Sequence, residues 1–282
     1  MTQYGLVWPM PGAELAYPQP HWVTTFAKAG FTHVRFDLPV SRDRSNAAAS
    51  VRTMLHGGLQ PIPILAWPFY EPDVAGMEGY ARWYAETFPE TEWVTIGNEP
   101  WILDKIPADE YLRIAIPMAN VLLESSAAKV IIAMDLFDHV DGGSRNWPGV
   151  EDVIGFIASS TRLYADIHPY RNPYRPSFSP WGSRTREHNH IMNTLGHDRY
   201  IIGETGWKPN EGDRQANGEY HVEELTLNQD LGVPLICIYC HIGDLINPSM
   251  DFGLWLADQY QHISPRPAAM AVSHFLRTQD PA

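Results

Sequence analysis

Short, nearly continuous apolar runs alternate with segments of helical periodicity along the chain, and the alternation repeats eight times. The runs are rich in β-branched residues, which is typical of parallel strands that are buried on both faces. The predicted strands are residues 4–9, 32–38, 60–67, 92–98, 129–135, 162–168, 199–205 and 233–240. Between them, apolar residues at helical spacing predict helices that include residues 20–30, 80–88, 107–125 and 267–277.

Eight strand-then-helix units with no low-complexity linker between them favour a closed (β/α)8 TIM barrel. The length of 282 residues fits one such barrel, so we expect residues 1–282 to form a single catalytic domain. An open, doubly wound sheet is the alternative. It is disfavoured because no GxGxxG fingerprint follows the first strand.

Composition and net charge limit the classes of partner that the protein is expected to bind. The formal net charge of −13 disfavours binding to nucleic acid phosphates, and no run reaches the ~18 apolar residues of a membrane span. No secretory signal is recognisable, which leaves a cytoplasmic protein or a secreted one whose signal was removed. Cys237 and Cys240 are expected as buried thiols that point to opposite faces of a strand. We expect a monomer that needs no metal or other cofactor.

Polar and aromatic side chains end almost every predicted strand. In a barrel of this kind the active site lies at the carboxyl ends of the strands, where these side chains converge. They are Trp8, Arg35, Asp37, Trp67, Asn98, Glu99, Asp135, His168, Tyr170, Glu204, Tyr239 and His241.

Glu99 and Glu204 end the fourth and seventh strands, which face each other across the mouth of a closed barrel. A buried carboxylate is costly unless something uses it. Two carboxylates across a small gap are what the cleavage of a glycosidic bond requires, one as a proton donor and one as an anion. Structural ion pairing of the two glutamates is the plainer alternative.

The motifs IGNEP (96–100) and IIGETGW (201–207) resemble the paired glutamate motifs of clan A, the 4/7 superfamily of retaining β-glycosidases. Residues 24–40 and 251–276, with HPY at 168–170, are similar to segments of the family 5 enzymes in that clan. GETGW also resembles the β-1,3-glucanases of family 17, although the rest of the chain fits them less well.

The resemblance implies roles for these residues. Glu99 would act as general acid and then as base, and Glu204 as the nucleophile that forms a glycosyl-enzyme. Asn98 would bind the 2-hydroxyl of the sugar. The other supporting residues would be Arg35, His168 and Tyr170, with Arg35 and Tyr170 touching Glu204 and His168 lining the site beside the acid. Arg35 can alternatively be read as neutralising Asp37, and Asp135 as an indirect supporting group.

The eighth strand departs from the family pattern, which often places a tryptophan there beneath the reacting sugar. Here the strand reads CIYCHIGD, so Tyr239, His241, Trp207 or Trp255 would have to fill that place. The residues predicted to contact the substrate are Trp8, Asp37, Trp67, Trp101, Trp181, Trp207, Tyr239 and Trp255, with Trp147 as a further candidate for stacking.

The sequence therefore predicts a retaining hydrolase that cleaves a β-glucan, β-mannan or related oligo- or polysaccharide by double displacement. A metal-dependent sugar isomerase or epimerase is the alternative, with Glu99, Asp135, His168 and Glu204 as ligands. Arg35 at the same rim would repel a metal ion. A catalytically silent carbohydrate-binding barrel is a third possibility, which the presence of both glutamates disfavours.

Overall fold

The computed structural model describes residues 2–8, 19–38, 43–66, 73–100, 105–136, 147–169, 190, 193–196, 198–207, 214–239, 253–257 and 263–279. Eight parallel strands pair in chain order, and β8 pairs back with β1 to close a barrel. The predicted (β/α)8 fold is confirmed. The strands are β1 (Gln3–Trp8), β2 (His33–Asp37), β3 (Gln60–Leu65), β4 (Trp93–Ile96), β5 (Lys129–Leu136), β6 (Leu163–Ile167), β7 (Tyr200–Thr205) and β8 (Leu235–Ile238).

Helices alternate with the barrel strands, and a small antiparallel hairpin of β9 (Trp255–Ala257) and β10 (Ile263–Pro265) follows β8. The helices within the described residues are α1 (Pro20–Lys28), α2 (Arg44–His56), α3 (Val74–Thr87), α4 (Ala108–Ser125), α5 (Val150–Ala158), α6 (Arg214–Asp230) and α7 (Pro267–Gln279). Within these ranges no helix combines the length and apolar character needed to cross a bilayer.

Strand β3 contains two prolines although it lies inside a closed sheet. The N–H of Gln60 donates to the carbonyl of Thr32, and the carbonyl of Ile64 accepts from the N–H of Leu38, so both residues turn these backbone groups towards β2. The backbone groups of the alternate positions, Pro61 and Pro63, therefore point towards β4. A proline has no N–H to donate to a neighbouring strand. Accordingly, β3 pairs with β4 only over its last two residues.

Side chains alternate between the inside of the barrel and the helix layer. One buried cluster fills the inside and comprises Val7, Ile62, Trp93, Ile131, Ile201, Leu235 and Cys237. A larger cluster packs the outside of the strands against the helices. The buried position of Cys237 matches the prediction, whereas Cys240 lies outside the described residues.

The amino ends of the strands are held by a polar cluster around Glu92. Gln3 Nε2 donates a hydrogen bond to Glu92 Oε2 at 2.7 Å, and Lys129 Nζ donates to Oε1 at 3.0 Å. His33 Nε2 lies 3.7 Å from Oε2. Interactions with His33, Lys129 and Gln3 lower the pKa of Glu92 to about 2, although burial acts in the opposite direction. The cluster ties β1, β2 and β5 to the residue that precedes β4.

We expect Glu92→Gln to lower the free energy of unfolding by about 1 kcal/mol at neutral pH, since the carboxylate is partly exposed and its ion pair is screened by solvent. A group whose pKa is depressed by folding stabilises the protein above its unfolded pKa, here 4.5, and loses that contribution as pH falls towards 2. Denaturant titrations of both proteins should therefore converge across that range.

Glu90→Gln is the matched control, because Glu90 is exposed and lies two residues away. An equal loss of stability in this control, or a difference between Glu92→Gln and the wild type that stays constant with pH, would contradict the role of the cluster.

Candidate active site

Glu99 reaches the mouth of the barrel through a tight turn that follows β4. Gly97 has a φ of 74° and Glu99 itself a φ of 44°, in the left-handed region that non-glycine residues rarely adopt. The following residue, Pro100, further restricts the conformations open to Glu99. Strain of this kind costs about 1–3 kcal/mol per residue and is concentrated at functional sites. The backbone is thus held in a costly shape that carries one carboxylate.

Glu204 is directed inward by an irregularity of β7. Between the pairs Ile202–Ile236 and Thr205–Ile238, β7 has one residue more than β8, which is the signature of a β-bulge. Gly203 and Glu204 consequently both face the inside of the barrel. Thr205 faces outward, where its hydroxyl donates to the carbonyl of Pro169 and contacts Glu224 of α6.

The two carboxylates lie close together. One oxygen of Glu99, one oxygen of Glu204 and one ring nitrogen of His168 all lie within 4.8 Å of one another. Glu99 is 9% exposed and Glu204 is 7% exposed, so each retains a small opening to solvent. Retaining glycosidases hold their carboxyl groups about 5–5.5 Å apart, whereas inverting enzymes separate them by about 6.5–9.5 Å. The nearest carboxyl oxygens of Glu99 and Glu204 are therefore closer together than either of these separations.

Arg35, on β2, lies fully buried beneath the carboxylates. Its Nη1 donates to Glu204 Oε1, and its Nη2 donates to Asn98 Oδ1 at 3.1 Å and to Asp166 Oδ2 at 2.8 Å. Burial disfavours the charge of the guanidinium, but the charges of Asp166 and Glu204 outweigh burial and raise the pKa of Arg35. The main charged partners of Arg35 are therefore Asp166 and Glu204, and Asp37 makes a smaller electrostatic contribution.

His168 bridges two acids at the end of β6. Its Nδ1 lies 2.6 Å from Glu99 Oε1 and 4.0 Å from Glu204 Oε2, while its Nε2 lies 3.1 Å from Asp166 Oδ2. Burial alone would lower the pKa of His168, but the charges of Asp166 and Glu204, with the hydrogen bonds that the ring donates to Asp166 and Glu99, raise it to about 10. The charges around the ring thus favour its protonated form.

Asp166 is a member of this network that the sequence analysis missed. It lies on β6 two residues before His168, so both side chains share one face of the strand. An aspartate at an inward position of an otherwise apolar strand was the available signal. Burial acts to raise its pKa, but the charges of His168 and Arg35 outweigh burial and lower it.

The site brings together five of the residues predicted from the sequence: Arg35, Asn98, Glu99, His168 and Glu204. Four other predicted site residues, Trp67, Trp101, Tyr170 and Trp181, lie outside the described residues, as does His241. Strand β5 includes Asp135, but its side chain is not among those described. Their roles stay predictions.

Three of the predicted tryptophans pack in the core. Trp8 is 2% exposed and stacks beside Trp22 of α1, with ring centroids 5.7 Å apart. Its odd-numbered neighbour Val7 faces the inside of the barrel, so Trp8 faces the helix layer. Trp255 packs 4.8 Å from Phe26 of the same helix. These contacts place both rings against α1.

Trp147 is the third core tryptophan, and its Nε1 donates to the carbonyl of Ile106 at 2.7 Å. Trp207 is 7% exposed and its ring lies 5.9 Å from that of Tyr220 on α6. Asp37 and Tyr239 are half-buried at the carboxyl ends of β2 and β8. Contact of Trp207, Asp37 and Tyr239 with a substrate stays a prediction.

Glu99, His168 and Glu204 also offer three ligand atoms of the kinds that bind divalent metals. The donor set suits a metal ion poorly. Arg35 already donates to Glu204, and its Nη2 lies 3.5 Å from His168 Nε2, so a positive charge occupies the site. A histidine must also be deprotonated to bind a metal ion, and the charges of Asp166 and Glu204 raise the pKa of His168.

Known proteins share the fold of this chain. An exo-β-1,4-mannosidase from Opitutaceae bacterium strain TAV5 superposes with a TM-score of 0.67 and 15% identity, over 99% of this chain and 60% of that one. A family 1 β-glucosidase from Thermotoga maritima gives 0.70 and 13%, over 98% and 97% of the chains. A GH5_18 protein from Bifidobacterium longum subsp. longum, in complex with Manβ1-4GlcNAc, gives 0.70 and 12%, over 100% and 79%.

Sequence comparison adds little. No family model matches the chain. An uncharacterized protein of Picosynechococcus sp. strain PCC 7002 is 25% identical over 167 residues, which cover 58% of this chain and 16% of that protein. With so few identical residues, the likeness to the solved structures concerns the barrel fold, which the glycosidases of clan A also have.

Gly203 makes room for Asp166. A Cβ atom at position 203 would lie 1.9 Å from Asp166 Oδ1, so Gly203→Ala should displace that carboxylate and lower the free energy of unfolding by about 1–3 kcal/mol. Gly155→Ala is the control, because its Cβ would meet nothing within 4 Å on helix α5. The control should be neutral or stabilising by up to about 1 kcal/mol. Equal stability of the two variants in denaturant titrations would contradict the close approach of Asp166 to Gly203.

Proposed function

We propose that this protein is a retaining β-glycoside hydrolase in which Glu204 is the nucleophile and Glu99 the acid and base. The observation that carries the proposal is the short gap between the oxygens of the two glutamates, within 4.8 Å. Each carboxylate also has its own basic partner, Arg35 for Glu204 and His168 for Glu99. This asymmetry suits two different chemical roles.

Glu204 is suited to act as the nucleophile because the guanidinium of Arg35 donates to its Oε1 and holds the carboxylate in place. The guanidinium balances the negative charge before attack and while the carboxylate leaves again. A buried, immobile partner of this kind also reduces the reorganisation needed during the reaction.

Glu99 is suited to proton transfer. His168 contacts Oε1 through Nδ1, which leaves Oε2 to carry the proton that the leaving group receives. In the first step, Glu204 Oε2 forms a bond to the anomeric carbon, the bond to the leaving oxygen breaks, and Glu99 donates its proton to that oxygen. In the second step, Glu99 takes a proton from water, the water oxygen bonds to the anomeric carbon, and Glu204 is released.

Asn98 supplies a hydrogen bond to the sugar. Its Oδ1 accepts a hydrogen bond from Arg35 at 3.1 Å, so the amide is held with its NH2 group pointing away from Arg35. We assign that NH2 group to the 2-hydroxyl of the reacting sugar, next to the anomeric carbon. Such a contact accelerates the reaction if it strengthens in the transition state.

The substrate that we propose is an oligo- or polysaccharide of β-linked glucose or mannose. The support is the chemistry named for proteins of the same fold, an exo-β-1,4-mannosidase, a β-glucosidase and a protein bound to Manβ1-4GlcNAc. A metal-dependent sugar isomerase is the second candidate, because Glu99, His168 and Glu204 together offer three metal-binding atoms.

The test uses aryl β-glucosides and β-mannosides with good and poor leaving groups. We expect Glu204→Ala to lower kcat by a factor of about 10⁴ or more for every substrate, because no covalent intermediate can form. Glu99→Ala should affect poor leaving groups far more than good ones, since only the former need a proton. Glu223→Ala, which removes an exposed carboxylate on α6, is the control and should be unchanged.

Equal losses across all leaving groups for Glu99→Ala would contradict its role as the acid. Treatment with EDTA separates the two candidate functions, because hydrolysis should survive complete removal of divalent ions. Loss of activity that returns on adding one divalent metal would favour the isomerase.

A further inference from the structure

We propose that Asp166 is a positioning residue that keeps both ring nitrogens of His168 as hydrogen-bond donors, so that the proton of Glu99 stays on the oxygen that faces the substrate. This inference deepens the proposed hydrolase function and rests on it. Asp166 itself touches neither the reacting sugar nor the proton in flight. It acts through His168.

Asp166 contacts both basic residues of the site, Arg35 and His168. A single oxygen, Oδ2, accepts from Arg35 Nη2 at 2.8 Å and lies 3.1 Å from His168 Nε2. The residue is 1% exposed, and Oδ1 fills the space that a side chain at Gly203 would need. The carboxylate of Asp166 therefore packs directly against Gly203 of β7, next to Glu204.

The protonation of His168 decides where the proton of Glu99 lies. A neutral imidazole has one N–H donor and one acceptor nitrogen, whereas the imidazolium has two donors. The ionised Asp166 can only accept a hydrogen bond, so the Nε2 atom of His168 must carry a proton to donate to it. A neutral ring would then present the lone pair of Nδ1 to Glu99, only 2.6 Å away.

That arrangement would be unproductive for catalysis. A protonated Glu99 would donate its proton to Nδ1 of His168 and not to the leaving oxygen. With His168 doubly protonated, Nδ1 donates to Glu99 Oε1, and the proton of Glu99 is confined to Oε2. Asp166 contributes twice, because it fixes the proton on Nε2 and its negative charge stabilises the second proton on the ring.

A negative charge at Asp166 is needed to keep His168 doubly protonated, because another charge near the ring opposes that state. Arg35 is a cation 3.5 Å from Nε2 and by itself would disfavour a protonated ring. Cys237 of β8 is uncharged, because burial raises the pKa of its thiol. Among the described residues, the charged groups around His168 include Arg35 of β2, Glu99 after β4, Asp166 of β6 and Glu204 of β7, and the thiol of Cys237 lies close enough to Arg35, Asp166 and Glu204 to interact with their charges.

The experiment is a pH titration of histidine-labelled protein by NMR, in which His168→Asn identifies the ring signals of His168. We expect the wild-type ring to carry both protons at about pH 8, well above the ordinary histidine pKa of about 6.5. Asp166→Asn keeps the shape but removes the charge, and should lower the pKa of His168 by at least one unit. Asp230→Asn makes the same charge change on the exposed end of α6 and should leave His168 unchanged.

Kinetics give the second readout. In Asp166→Asn, kcat for poor leaving groups should fall by about tenfold or more between pH 6 and pH 8 relative to the wild type, with little change for good leaving groups or in KM. A simple structural defect would lower all of these values together at every pH.

An unshifted titration of His168 in a folded Asp166→Asn variant would overturn the inference. If that variant does not fold, the wild-type spectrum decides, because a neutral His168 ring at about pH 8 would overturn it and a doubly protonated ring would support it. The NMR readout needs no turnover. A wild-type protein that cleaves no glycoside, yet shows the predicted titration, would refute the proposed function while the control of His168 by Asp166 stands.

Discussion

The site depends on the buried ion pairs of Arg35 with Glu204 and Asp166. A guanidinium that is removed from water is costly, and carboxylates in hydrogen-bonding contact are what make it tolerable. Removing one partner of such a pair typically destabilises a protein by about 3–5 kcal/mol, because a buried charge is left uncompensated. The barrel supplies the partners by bringing β2, β6 and β7 to the same level. Arg35 thereby fixes Glu204, the amide of Asn98 and Asp166.

Local departures from regular structure occur at Glu99 and beside Glu204. The left-handed turn at Glu99 and the bulge before Thr205 both redirect a carboxylate towards the axis of the barrel. Successive side chains of a regular strand point to opposite faces, so two adjacent residues could not both face inward. The bulge lets Gly203 make room for Asp166 while Glu204 binds Arg35. The fold thus supplies a rigid frame, and two irregularities adapt it to a pair of acids.

Much of this was accessible from the sequence. Parallel strands buried on both faces read as apolar runs, so eight strands and the paired glutamates at the ends of the fourth and seventh could be predicted. The roles of Asp166 and Gly203 were not, because they depend on which residues of β6 and β7 lie side by side. Trp8 was expected at the rim because it ends a strand, but strand alternation turns it towards α1. A bulge follows from the register with a neighbouring strand, which one sequence does not contain.

The central claim is that Glu204 attacks the sugar and becomes covalently bound to it. The most direct measurement is mass spectrometry of the protein after incubation with a 2-deoxy-2-fluoro β-glycoside that carries a good leaving group, followed by peptide mapping. The account predicts one added fluoroglycosyl group, attached to the peptide that contains Glu204. Stereochemical inversion of a turned-over substrate with no adduct, or an adduct on Glu99, would contradict it.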